Sequence, residues 1–194
     1  MTLGRPREFD REAALDAAMR LFWRKGFGDT SLEDLLKVMR LSKSSFYAAF
    51  KNKADVFRES MKHYCDLMLA EMGKKLLHAH SGRAFIEEVL SIALHEAREK
   101  RANGCLIINS AAEFGQRHST FCRDVRESLA LFERLFQQAV LRGQSEGDIT
   151  SKTDAATLGT YLCSSLGGLR TMAKVGTPPE KIQAVIPNIL KALE

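Results

Sequence analysis

The chain lacks the features that mark membrane and secreted proteins. Its 194 residues contain no run of about 18 apolar residues, so no membrane-spanning helix is predicted. Residues 1–7 lack the apolar stretch of a secretion signal. The four cysteines are widely spaced and include no Cys-x-x-Cys pair, which favours reduced thiols over a disulfide framework. We therefore expect a cytoplasmic protein that does not associate with membranes.

Sequence motifs of common enzyme classes are also missing. The chain has no Gly-x-x-x-x-Gly-Lys phosphate loop, no Gly-x-Gly-x-x-Gly, no Gly-x-Ser-x-Gly and no His-Glu-x-x-His. His118 and Cys122 have the spacing of metal ligands on a helix, but no second ligand pair accompanies them. We predict a protein that is not an enzyme and that carries no metal and no cofactor.

Positive charge is present and unevenly distributed. Residues 1–63 hold 13 Lys or Arg against 9 Asp or Glu, whereas the remainder holds 16 against 15. An excess of cations on one segment is what a polyanionic partner such as DNA requires. The alternative is an ordinary solvated surface that happens to be basic.

The segment from Thr30 to Lys53 predicts a helix-turn-helix. Its first helix has an apolar face at helical spacing, and Thr30 with Glu33 forms an expected capping box. Ser42 is the expected cap of a second helix running to about Phe50. Phe46 and Phe50 are four residues apart and point inward, which leaves an outward face of small, hydroxyl, cationic and tyrosine side chains: Lys43, Ser44, Ser45, Tyr47 and Ala48. Such a face suits close approach to a DNA groove.

At these residues the chain resembles the N-terminal domain of TetR-type (TetR/AcrR) transcriptional regulators. The matching features are a Lys-Gly-Phe turn at 25–27 and, in register after it, Thr30, Ser31, Ser42, Phe46, Tyr47, Phe50, Lys53, Asp55 and Phe57. The resemblance implies a dimeric repressor that binds a palindromic double-stranded DNA operator and responds to a small-molecule effector. It also implies a DNA-facing set, in which Tyr47 and Lys53 contact phosphates and Lys43 contacts base edges: Thr30, Ser42, Lys43, Ser44, Ser45, Tyr47 and Lys53.

The whole chain predicts an all-α fold of about nine helices. We divide it into a helix-turn-helix domain at 1–52 and an effector-binding and dimerisation domain at 53–194. The segment CLIINSAAEF has a strand-like composition, yet it lies between helices with no partner strand, so we expect a buried helix. The apolar stripe on the last helix fits a core lid or a dimer seam, and the family resemblance favours dimerisation through the last two helices.

Two further features carry open alternatives. Arg5 and Arg7 lie in a Gly- and Pro-containing arm, which either reaches a minor groove or is a frayed terminus. Cys105 follows Gly104 at an expected helix start near Lys100 and Arg101, where a thiolate is stabilised. It is a candidate thiol sensor or effector-pocket residue; the alternative is a small buried hydrophobe.

A second class of function is consistent with much of this pattern. An all-helical small-molecule carrier or interaction module, without a role in DNA binding, would show the same periodicity in the C-terminal two thirds. The basic bias of residues 1–63 argues against it. A steep fall of DNA affinity with salt would separate the two classes, because only phosphate contacts release counterions.

Overall fold

The computed structural model describes residues 10–99, 102–114 and 119–194. All regular structure in these ranges is helical, which confirms the predicted all-α class. A 3₁₀ turn, Lys191–Leu193, follows the last α-helix. The described α-helices number nine: α1 (Arg11–Lys25), α2 (Leu32–Met39), α3 (Lys43–Ala49), α4 (Lys53–His78), α5 (Gly82–Glu99), α6 (Leu106–Phe114), α7 (Ser119–Glu146), α8 (Ala155–Lys174) and α9 (Pro179–Leu190).

The chain separates into two compact units, Met1–Tyr64 and Cys65–Glu194, which we call the N-terminal and C-terminal units. The boundary between them falls within α4. The sequence-based division at 52/53 rests on the helix-turn-helix pattern and stays a prediction. No described helix combines the length and the apolarity that a bilayer crossing requires.

The N-terminal unit is built around a cluster of aromatic side chains. Phe22, Phe46 and Phe57 are each at most 1% exposed, and the Phe22 and Phe57 ring centroids lie 4.9 Å apart. Ala14 and Ala18 are buried on the same helix as Phe22 and let α1 pack closely. Burial of large aromatic side chains is a strong source of stabilisation for so small a unit.

Most helix starts follow the sequence prediction. Asp10, Ser42 and Asp154 each accept a hydrogen bond from the backbone N–H three residues on, at the starts of α1, α3 and α8. These bonds satisfy donors that a helix leaves unpaired at its first turn.

The predicted capping box of Thr30 and Glu33 is wrong by one residue. Ser31 is the cap of α2: its hydroxyl accepts from Asp34 N at 3.0 Å, and the Asp34 carboxylate accepts from Ser31 N at 3.1 Å. Thr30 is unavailable because its hydroxyl donates to the Gly26 carbonyl at 2.6 Å. Both registers offer a hydroxyl followed three residues later by an acid, so spacing alone did not distinguish them.

In the C-terminal unit, α5 packs against α7, α8 and α9, and α7 packs against α6 and α8. Glycines allow two close approaches. A Cβ added at Gly82 would lie 2.1 Å from the Ala139 carbonyl oxygen, and one at Gly159 would lie 2.7 Å from the Glu133 carbonyl oxygen. Backbone meets backbone at these points, so no larger residue fits without movement.

The corner between α4 and α5 is fixed by side chains from the end of α7. The Arg142 guanidinium donates to the carbonyls of Leu76 at 2.7 Å and Ala79 at 2.9 Å, and also to Glu146 at 2.7 Å. The carbonyls at the end of α4, which a helix leaves without intrahelical partners, are thereby satisfied by a cation.

Carboxylates from the same region cap the start of α5. Glu146 accepts from the Gly82 N–H at 3.0 Å, and Asp148 accepts from the Arg83 N–H at 3.2 Å. Hydrogen bonds from Arg142 and from the Gly82 N–H lower the pKa of the Glu146 carboxyl. The corner thus pairs a cation with a helix C-terminus and anions with a helix N-terminus, as the helix dipoles favour.

Two ambiguous segments are resolved. The strand-like run LIINSAAEF is the helix α6, as predicted, with Leu106, Ile107 and Phe114 buried. Helix α9 ends at Leu190, and the 3₁₀ turn continues the chain to Leu193. The Leu193 carbonyl there accepts from the N–H groups of Thr150 and Ser151 at 2.9 and 3.1 Å.

Candidate nucleic-acid interface and effector region

Helix α3 presents a sharply divided surface. Phe46 is fully buried and Phe50, just after the helix, is 3% exposed, whereas Tyr47 is 51% exposed. Lys43 and Ser44 are exposed on the first turn. Of the five residues that the sequence placed outward, Lys43, Ser44, Tyr47 and Ala48 are exposed and Ser45 is half-buried, on a helix of seven residues whose apolar side is used for packing.

The start of α3 carries a cluster of hydroxyl groups. Ser42 accepts from Ser45 N at 3.1 Å, and its oxygen lies 3.0 Å from the Ser44 hydroxyl and 2.9 Å from the Ser45 hydroxyl. Hydroxyls can donate to phosphate oxygens as well as to one another, so this cluster can exchange its internal bonds for DNA contacts.

Two residues of the expected DNA-facing set are turned inward. The Thr30 side chain is part of a residue only 1% exposed, and its hydroxyl donates to a carbonyl. The Lys53 ammonium donates to the carbonyls of Phe27 at 3.0 Å and Thr30 at 2.9 Å. The geometry groups these two residues with the turn between α1 and α2, away from the hydroxyl cluster of α3. Their roles as phosphate contacts stay predictions.

The first turn of α2 is held by an ion pair. Lys25 Nζ lies 2.7 Å from the Asp34 carboxylate. The hydrogen bond from Lys25, with further bonds from Ser31, lowers the pKa of Asp34 from 3.8 to about 2. The pair links the end of α1 to the start of α2, the helix that precedes α3.

Cys105 lies in the C-terminal unit at the start of α6. It is partly exposed, and its carbonyl accepts from Asn109 N at 2.9 Å, so it occupies the capping position of that helix. Gly104 before it has a φ of 71°. The Lys174 side chain lies 3.3 Å from where a Cβ of Gly104 would be, so a cation from α8 runs past this turn. Lys100 and Arg101, the cations expected beside Cys105, lie outside the described residues.

Cys163 has the opposite character. Burial, the nearby Glu133 carboxylate and Cys105 raise the pKa of its thiol to about 12. A thiol that stays protonated is a poor nucleophile, so Cys163 is a packing residue.

Sequence reasoning missed a buried ion pair between α5 and α8. Arg170 donates from Nε and Nη2 to the two oxygens of Glu96 at 3.1 and 2.6 Å. The side chains are 10% and 21% exposed. The arginine within the small-residue run SSLGGLRTM was the available signal, because an arginine on a packed helix face needs an acidic partner.

The remaining predictions fall partly outside the described residues. Arg5, Arg7 and His118 are among the residues not described. Within the described ranges, no group of three or more His, Cys, Asp and Glu side chains is placed to hold a metal.

Comparisons with known proteins give the same assignment for both units. The family model "Bacterial regulatory proteins, tetR family" matches residues 14–60, and "Tetracyclin repressor-like, C-terminal domain" matches residues 83–189. The HTH-type transcriptional repressor ComR of Escherichia coli K12 is 30% identical over 190 residues, which cover 97% of this chain and 90% of ComR.

Solved structures are similar over nearly the whole chain. A triple cysteine mutant of the TetR family transcriptional regulator CifR, complexed with 26-bp double-strand operator DNA, is 34% identical with a TM-score of 0.82. The match covers 98% of this chain and 100% of that one. The reduced form of Escherichia coli NemR shares the fold, with a TM-score of 0.86 at 19% identity over 95% of this chain and 96% of NemR.

Regulators of this family are dimeric and bind effectors, which agrees with the partners expected from the sequence. The family models cover the helix-turn-helix and most of the C-terminal unit, and ComR is 30% identical over nearly the whole chain. The chain belongs to the TetR family and is a DNA-binding transcriptional regulator rather than an enzyme.

Proposed function

We propose that the chain is a cytoplasmic repressor that reads a palindromic operator as a homodimer and leaves it when an effector reaches the C-terminal unit. The N-terminal unit reads the DNA through the exposed face of α3. In this assignment Lys43 and Ser44 approach base edges, Tyr47 contacts a phosphate, and Ser42 and Ser45 exchange their mutual hydrogen bonds for phosphate contacts.

The observation that carries this proposal is the exposure of Tyr47 beside two buried phenylalanines. A tyrosine that is 51% exposed on a seven-residue helix contributes little to the core, since Phe46 and Phe50 already fill it. The other outward side chains of α3 are those of a lysine, serines and an alanine. They do not project far, so this face of the helix can enter a DNA major groove. The CifR structure in complex with operator DNA, which is similar over the whole chain, supports operator binding by this chain.

Repression and dimerisation have separate support. ComR, 30% identical, is a repressor. On α8 the exposed face includes Tyr161 at 38% exposure, Val175 just after the helix is 75% exposed, and a Cβ added at Gly168 would meet nothing within 4 Å. An open, small-residue face of this kind suits a second copy of the chain packed against α8 and α9. Two copies would hold their α3 helices about one turn of DNA apart.

For the effector, we propose that Cys105 is the thiol through which electrophiles or oxidants act, or that it lines the effector pocket. Cys105 is partly exposed at a helix start, whereas burial keeps Cys163 protonated. The Lys174 side chain of α8 also lies beside the Gly104 turn that precedes Cys105. An effector lowers operator affinity only as far as it prefers the arrangement that binds DNA poorly.

The DNA-reading assignment is tested by selection of random duplex DNA with the purified protein. The wild type should enrich an inverted repeat. Tyr47→Ala should weaken binding to all sequences alike, whereas Lys43→Ala should change the preferred bases. Lys152→Ala, an exposed lysine before α8, is the matched control and should leave both affinity and preference unchanged. A folded, dimeric wild type that enriches nothing would refute the proposal.

The thiol assignment is tested on the duplex so selected. N-ethylmaleimide should release the wild type and the Cys122→Ser control, but not Cys105→Ser. Release of Cys105→Ser at the wild-type rate would show that another residue responds.

A further inference from the structure

Lys53 occupies a position where a cation is unfavourable unless it has another task. It is the first residue of α4, and the positive end of a helix dipole disfavours a lysine there. Its ammonium lies at the turn between α1 and α2, where it donates to the Phe27 and Thr30 carbonyls at 3.0 and 2.9 Å. The same nitrogen lies 4.2 Å from the centroid of the Phe27 ring, within cation–π range.

The turn that receives Lys53 is organised to present those carbonyls. Thr30 N donates to the Phe27 carbonyl at 3.3 Å, and the Thr30 hydroxyl donates to the Gly26 carbonyl at 2.6 Å. The Phe27 ring packs edge-on against Phe57 at 5.1 Å between centroids. Side chain and backbone of the turn are therefore both fixed, and the ammonium lies where the carbonyl dipoles and the ring face converge.

These contacts join the two ends of the helix-turn-helix. Thr30 comes directly before Ser31, which caps α2, and Lys53 comes four positions after Ala49, the last residue of α3. The bond from Lys53 to Thr30 spans 23 positions and encloses both helices. This bond closes a loop that contains α2 and α3, so the two helices cannot move together away from α1. The opposing term is the entropy of closing one short loop.

We infer that Lys53 is a positioning residue that closes the helix-turn-helix at its base, and that it is not a phosphate ligand. This inference rests on the proposed reading of DNA by α3, and it replaces the phosphate role that the sequence resemblance implied for Lys53. The closed form holds the start of α2 and the face of α3 in one arrangement before DNA arrives. Loss of the closure lets the segment sample others, which weakens contacts that require a defined register.

Lys53→Met tests this, because methionine keeps an unbranched chain over the Phe27 ring but removes the charge and the donors. Affinity is measured for the duplex enriched by the wild type and for a scrambled duplex, each across a series of salt concentrations. If Lys53 were a phosphate ligand, the dimer would lose two phosphate contacts, so the log–log salt slope would fall by about 1.8 and both duplexes would be weakened equally. A positioning residue should leave the slope unchanged and weaken the selected duplex by roughly tenfold, with little effect on the scrambled one.

Two further measurements accompany Lys53→Met, and the first keeps the test decisive if that variant is unstable. Phe27→Leu keeps the lysine and so every phosphate contact, yet it removes the ring beneath the ammonium; a loss of preference for the selected duplex of about threefold is expected. Amide hydrogen exchange over residues 28–35, outside any DNA complex, should be faster in Lys53→Met than in Lys43→Ala.

The outcomes separate this inference from the proposed function. A wild type with no preference for any duplex would overturn both. A wild type with a clear preference, together with a Lys53→Met variant that loses about 1.8 in slope and exchanges like Lys43→Ala, would overturn the positioning role alone.

Discussion

The side-chain bonds at the helix ends of the two units join residues that lie at different distances from each other along the chain. In the N-terminal unit, the caps of α1, α2 and α3 each join residues three positions apart. In the C-terminal unit, Arg142 and Glu146 bond to backbone groups 63 to 66 positions away. Short-range signals are visible in a sequence window, whereas long-range bonds are not. The N-terminal unit could therefore be predicted from the sequence far more completely than the C-terminal unit.

The largest expected effect comes from breaking the buried ion pair between α5 and α8. Arg170→Met leaves the partly buried Glu96 carboxylate without its partner between α5 and α8, so the free energy of unfolding should fall by about 3 kcal/mol. Urea unfolding measures it. Arg83→Met, which breaks the more exposed pair of Arg83 and Glu87, should cost about 0.5 kcal/mol. Equal losses of unfolding free energy from the two variants would show that the Arg170–Glu96 pair stabilises the fold no more than the exposed pair does.

The next effect uses two glycines with opposite surroundings. Gly82→Ala places a Cβ against backbone atoms of α7 and should lower the free energy of unfolding by about 3 kcal/mol. Gly73→Ala lies within α4, where an added Cβ meets nothing within 4 Å, and should raise it by about 0.8 kcal/mol through helix propensity. Thermal unfolding of both variants checks the sign of each change. If Gly82→Ala proved neutral, the close approach of α5 and α7 would be wrong.

A smaller effect distinguishes the two registers of the capping box. Ser31→Ala should destabilise the N-terminal unit by about 1 kcal/mol, because it removes the side chain that accepts from Asp34 N. Glu33→Ala, the partner in the register that the sequence first suggested, should change stability by less than about 0.5 kcal/mol. A larger loss of stability from Glu33→Ala than from Ser31→Ala in urea unfolding would mean that Thr30 and Glu33 form the capping box.

The smallest effect is a pH dependence at Asp34. Its pKa falls from 3.8 to about 2 in the folded chain, so the folded state favours the ionised carboxylate. The resulting stability is fully present above pH 3.8 and is lost as the pH falls towards 2. The difference in melting temperature between wild type and Asp34→Asn should therefore narrow across that window. A constant difference would mean that the charge of Asp34 contributes nothing.

Helix α3 shows how much of the structure can be predicted from residues that are close together in the sequence. Spacing alone placed Phe46 and Phe50 in the core, Tyr47 outside and Ser42 at the cap, and the structure agrees with each. These properties depend on helical periodicity and on groups a few residues apart. Local reasoning failed only where two adjacent hydroxyls, Thr30 and Ser31, met the same rule.

Charged residues show its limit. The sequence gives the charge of Lys53 but not the direction of its ammonium, which is set by carbonyls 23 and 26 positions away. The same holds for Cys105, whose neighbouring turn lies against Lys174, a residue distant in the sequence. The Glu96 partner of Arg170 is 74 positions away, and no periodic pattern connects them. Helix packing decides such pairings, and a single sequence does not encode packing in any short window.

The polar segment between α7 and α8 has a practical consequence for anyone who converts this regulator into a biosensor. Its composition, GQSEGDITSKTD, suggests a dispensable connection in which a fluorescent domain could be inserted. The structure gives residues 146–151 other tasks: Asp148 caps α5, Ile149 is 3% exposed, and Thr150 and Ser151 bind the Leu193 carbonyl. An insertion there would detach the start of one helix and the end of the chain together, and fusion sites are better sought elsewhere.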